Sequence, residues 1–145
     1  MIALHPGRAK RIRDFAAREK RRGTADAMTI QECYIRMGAD YEEVHKRLCG
    51  EAMIRRFVLL FLEDDSYSSL KAALEAGDTQ KAFRAAHTLR GVCQNLGFSN
   101  LCVPTAVLTE TLRAGRLEDA KAQFSRVKKQ YGVTADAIRE LAELK

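Results

Sequence analysis

The chain has 145 residues, one domain's worth, with 46% hydrophobic and 30% charged side chains, a balance that excludes wholesale disorder. Its longest apolar run, Phe57–Leu62, is far below the roughly 20 residues of a membrane span, and no signal-peptide pattern is visible, so a cytoplasmic protein is expected. The net charge of +6 is uneven: residues 1–28 hold eight basic and three acidic side chains, leaving 17 and 16 for residues 29–145, so the body itself gives no argument for nucleic acid.

In chain order, residues 1–28 are a basic leader with few large apolar residues, expected to be flexible. Eight cations alone are a weak sign of a nucleic-acid or membrane arm. Lys20-Arg21-Arg22-Gly23 lies a few codons before Met28, as a translated purine-rich ribosome-binding stretch would, which makes Met28 a candidate natural start. A short helix is predicted at Thr29–Met37 and another from Asp40 to Leu48, stopped by Gly50. A long helix follows from Glu51 to Ala76, ended by Gly77. Met53, Phe57, Leu60 and Phe61 form one apolar stripe on it, and Asp64-Asp65-Ser66 is a candidate bend.

The next helix begins after Asp78 or Thr79, both good N-caps, and stops at Gly97. Another runs from near Ser99 to before Gly115, with Pro104 either bending it or marking its true start. The last runs from Leu117 toward Tyr131, where Lys128 and Lys129 would suit the helix dipole. Gly132 is a candidate interruption before Ala135–Leu144. No strand alternation competes. The expected fold is all-α: an antiparallel four-helix bundle with short N-terminal helices, over residues 29–145, monomeric by default.

The segment carrying chemistry is Ala85-Ala86-His87-Thr88-Leu89-Arg90-Gly91-Val92-Cys93-Gln94-Asn95-Leu96-Gly97. At ~100° per residue, Ala82, Ala86, Leu89, Cys93 and Leu96 share one face; His87, Gly91 and Gln94 share the other, with Arg84 and Arg90 flanking. His87 therefore projects outward. A neutral imidazole is a competent nucleophile near neutral pH. Gly91 removes a side chain beside it, so a phosphoryl donor approaches closely. Arg84 and Arg90 can neutralise phosphate oxygens. A mid-helix glycine costs about 1 kcal/mol relative to alanine, which asks for a reason.

The run AHTLRGVCQNLGF resembles the signature of histidine-containing phosphotransfer (HPt) domains, in which A-H-x-L-[KR]-G precedes small residues and N-L-G. The stretch GADYEEVHKRLCGEAMIRRFVLLFLED is similar to that family's first short helices and long hydrophobic helix, and LKAALEAGDTQKAFRAAHTLRG to its approach to the histidine. The resemblance covers about Thr29 to Gly115. It implies that His87 accepts the phosphoryl group, that Arg90 replaces the usual lysine and that Gly91 is the access glycine. Arg84 and Gln94 are further candidates beside the site. The implied partners are response-regulator receiver domains and a hybrid histidine kinase. No cofactor of its own is implied, the Mg²⁺ belonging to the receiver. Val92 and Cys93 stand where small residues are common, and Pro104 is unusual in its helix.

A docking rim is expected on the helix Asp40–Leu48 and at Phe98. Thr109 and Glu110 are guesses for the group that orients His87. The chain has no G-x-x-x-x-G-K-[ST] or G-x-G-x-x-G loop, so no ATP site is expected. Glu42 and His45 form only one Glu-x-x-His, half of a di-iron pattern, so no metal is expected. The four cysteines make no C-x-x-C pair and read as free thiols. The alternative function is a helical adaptor that docks receivers without phosphotransfer.

Overall fold

Thr29 opens the first helix with a reciprocal capping box. Its Oγ1 accepts from Glu32 N at 3.0 Å, and its own N–H donates to Glu32 Oε1 at 3.0 Å, satisfying two orphan donors. Asp40 and Asp78 cap later helices with their side chains alone, accepting from Glu43 N and Lys81 N at 3.1 and 3.0 Å. The computed structural model describes residues 28–143. The basic leader of residues 1–28 lies outside them except for Met28, which is buried in the core.

The elements are α1 (Ile30–Met37), α2 (Tyr41–Arg47), α3 (Glu51–Leu60), a 3₁₀ turn (Phe61–Glu63), α4 (Ser66–Ala76), α5 (Thr79–Leu96), α6 (Ser99–Arg113) and α7 (Leu117–Glu143). The fold is an all-α helical bundle, and no strand occurs among the described residues. Central α5 packs between α4 and α6, α6 packs on α7, and α1 and α3 lie against α7. Apolar faces meet in one core, which includes Ile54, Val58, Leu70, Leu89, Leu108 and Ile138, all fully buried.

Several expectations are corrected. The single helix Glu51–Ala76 is two helices. Asp64 turns extended (φ −73°, ψ 130°) and its carboxylate accepts from the Ser66 hydroxyl, so these short polar side chains draw the backbone out of the helix. Gly132 does not interrupt α7. Burial of Val127, Thr134, Ala135, Ile138 and Leu141 carries the helix through it, which places Lys128 and Lys129 mid-helix rather than at an end. Pro104 sits inside α6, not at its start.

The stripe Met53–Phe57–Leu60 is exposed, at 42, 42 and 47%, and only Phe61 of that set is buried. Ile54 and Val58 provide the core face of α3 instead.

The α1–α2 and α5–α6 corners are bonded together. Asp40 N donates to Gly97 O at 2.7 Å, Asn100 N to Gly38 O at 3.2 Å, and Tyr34 Oη to Leu96 O at 2.7 Å. Gly97 is the helix C-cap at φ +71°, and an added Cβ would meet Asp40 O at 2.7 Å, so only glycine fits there.

Candidate functional site

The site is built on α5, which Asp78 starts and Gly97 ends. Ala82, Ala86, Leu89, Cys93 and Leu96 are all buried, as the helical spacing predicts. His87 and Gln94 are exposed, Arg84 is exposed, and Arg90 and Gly91 are half-exposed. The five residues thus share the outward side of one rigid helix, which fixes their mutual positions better than a loop would.

Their partners differ. Arg84 has no ion pair among the described residues. It lines, with Lys81 and Thr88, a groove of about 590 Å³ between α4 and α5. Arg90 is drawn toward α6, its Nη1 bonding Glu110 Oε2 at 3.1 Å. Glu110 also accepts from Arg113 Nε and Nη2 at 3.0 and 3.3 Å. Hydrogen bonds from Arg113, then the charges of both arginines, hold the Glu110 carboxyl below the ordinary carboxylate range. Gly91 has open space where a Cβ would lie, so nothing in the fold requires glycine there.

Of the two guesses for orienting His87, Thr109 is buried and its hydroxyl donates to Thr105 O on its own helix at 2.7 Å. Glu110 acts on arginines. The group that does contact the imidazole is Phe83, one turn earlier on α5, with centroids 5.8 Å apart and planes inclined by 23°. The sequence reading missed it, although an aromatic at i−4 is the available signal.

The expected rim is also redrawn. Phe98 is 1% exposed and packs edge-on against Phe61 at 5.1 Å, so it is core. The helix α2 meets the C-terminal end of α5. Arg47 donates to Gln94 O and Asn95 O at 2.7 and 3.3 Å, a cation at the C-terminal carbonyls of α5. With Leu48, Arg47 borders a groove of about 390 Å³ whose other walls include Phe57, Leu60, Val92 and Asn95. Phe57 and Leu60 of the α3 stripe thus face the histidine helix.

Cys93 is buried on the opposite face from His87, and burial pushes its thiol up, so it makes no dyad with the imidazole. Among the described residues no group of three or more His, Cys, Asp or Glu side chains is placed to hold a metal. Among them, too, no helix is long and apolar enough to cross a membrane.

A family model described as Hpt domain matches residues 60–143, more than half of the chain and all of α4 to α7. The chain belongs to the Hpt domain family. Membership brings involvement in histidine phosphotransfer within two-component phosphorelays, with receiver and kinase proteins as the kind of partner. Hpt domains carry phosphoryl groups rather than turning over a substrate. No curated protein and no solved structure matches the chain.

Proposed function

We propose that this Hpt domain relays a phosphoryl group between receiver aspartates through His87. The observation that carries this is the placement of His87: an exposed imidazole in the middle of α5, backed by core on the opposite face, with open space at Gly91 one turn on. A lone pair on an imidazole nitrogen attacks the phosphorus of a receiver's aspartyl phosphate in line. A P–N bond forms, the acyl-phosphate P–O bond breaks, and the aspartate leaves as a carboxylate. Transfer to a second receiver reverses these changes. Mg²⁺ held by the receiver would neutralise charge on the phosphoryl oxygens, and Arg84, exposed on α5, adds a cation from this side.

The groove beside Val92 and Asn95 supports receiver docking, because Phe57 and Leu60 supply a desolvatable centre and Arg47 a polar rim. The domain in this reading is residues 29–145, acting in the cytoplasm as a monomer with no ATP site or metal of its own.

The test mixes the protein and a His87→Ala variant with a receiver pre-phosphorylated by a small phosphodonor. Acid-labile, base-stable phosphate on the wild type alone is expected. The exposed groove would serve a pure adaptor equally well. Receiver binding without label on either protein would establish that second reading and overturn the first.

A further inference from the structure

An exposed histidine on a helix samples several rotamers, and in-line transfer needs one nitrogen held on the donor's axis. Among the described residues no hydrogen bond holds the His87 imidazole. Its ring contact is Phe83, at 5.8 Å between centroids and 23° between planes. Phe83 is itself anchored. It packs half-buried against the core, and the Arg113 guanidinium lies 4.9 Å from its ring centroid. Arg113 is in turn held by Glu110 through two hydrogen bonds of 3.0 and 3.3 Å. Contacts thus run from α6 through Arg113 and Phe83 to the imidazole.

Resting on the proposed role of His87, we propose that Phe83, braced by Arg113, is the positioning residue that sets the direction of the imidazole for phosphotransfer. The flat ring lies alongside the imidazole, offset and near-parallel, and limits its rotation, so that the ring edge, where the nitrogens lie, is presented to the receiver. Arg113 limits Phe83 from the α6 side by a cation–π contact. Neither residue touches the phosphoryl group. A leucine at position 83 keeps the contact with the core but loses the flat face.

The test compares wild type with Phe83→Leu, Phe83→Tyr and Arg113→Gln. Two readings are taken on each variant: single-turnover transfer from a phosphorylated receiver, and the carbon-bound imidazole proton resonances of His87. Phe83→Leu should slow transfer by about fivefold to tenfold at unchanged receiver affinity. Its imidazole resonances should move as the ring current of Phe83 is lost. Phe83→Tyr should restore both. Arg113→Gln, an exposed change that spares the core, should slow transfer by about twofold to threefold in the same sense.

Wild-type transfer by Phe83→Leu, unmoved resonances, or an equal fall in receiver affinity would overturn the proposal. Those results leave the relay reading standing. Failure of the wild type itself to take up phosphate would instead fell the relay reading, and this proposal with it.

Discussion

Arg90 and Glu110 meet across the seam between α5 and α6, Nη1 to Oε2 at 3.1 Å. The arginine three residues after His87 is therefore already engaged by a carboxylate before any phosphoryl group arrives. Glu110 holds Arg113 in the same way, so one anion occupies two cations beside the site.

Replacing Glu110 with glutamine removes that competing charge. The phosphorylated fraction of His87 at equilibrium with a receiver should rise by about threefold, because Arg90 is then free to face the phosphoryl oxygens. The sign with pH follows from the lowered carboxyl. Glu110 is ionised at and above the ordinary carboxylate range, so the Glu110→Gln effect should be constant through neutral pH and vanish only under acid. Quantifying phosphohistidine across pH checks this.

Gly91 separates fold from function. Its Cβ position is empty, and its φ lies outside the left-handed region. Gly91→Ala should therefore stabilise the protein by about 0.5–1 kcal/mol in thermal or denaturant unfolding. The same variant should accept phosphate more slowly, since the added methyl stands where the donor approaches. A gain in stability without loss of transfer would remove the access role from Gly91.

Phe57 is 42% exposed and lines the groove beside α5. Phe57→Asp should weaken receiver binding by about tenfold or more, as loss of a central aromatic anchor does. Val133→Asp, a comparable change at a 39% exposed position of α7, is the control and should bind as wild type. Titration calorimetry with one receiver reads both.

Leu89 is fully buried, on the face of α5 opposite His87. Leu89→Ala should cost about 2–5 kcal/mol of unfolding free energy through lost burial and a cavity. At temperatures where the variant is folded, its transfer should be close to normal.

Burial raises the Cys33 thiol to about 12 from an ordinary 9.0. In the unfolded chain that thiol ionises from about pH 9, while the folded protein keeps it neutral. Its contribution is therefore fully present below pH 9 and is lost as pH rises toward 12. Unfolding midpoints should fall across that window and recover in Cys33→Ser only if the vacated site tolerates the hydroxyl. In the native protein at pH 8, exposed Cys49 should react with a thiol reagent well before buried Cys33 and Cys93.

What was legible in the sequence was local. Thr29, Asp40 and Asp78 announced helix starts, and Gly77 and Gly97 announced ends, because capping is decided within a few residues. The sidedness of α5 followed from spacing alone. The orientation of α3 did not. Ile54 and Val58 form one apolar stripe and Met53, Phe57 and Leu60 another, and only packing against the neighbouring helices decides which is buried. Gly132 misled for a related reason: its cost of about 1 kcal/mol is local, while the burial that overrides it is tertiary. Phe83 was hidden by position, since a phenylalanine on a helix reads as core until the ring beside it is known.

The bonds joining Gly38 and Asp40 to Asn100 and Gly97, with Tyr34 on Leu96, reach across the boundary at residue 60 where the family match begins. Arg47 likewise closes the last carbonyls of α5 from outside the matched stretch. The stretch that defines kinship therefore makes part of its contacts with residues that precede it. A chain cut at residue 60 would remove these partners and strip Phe98 of its Tyr34 neighbour. The contacts that hold the end of α5 thus extend beyond the residues by which kinship is recognised.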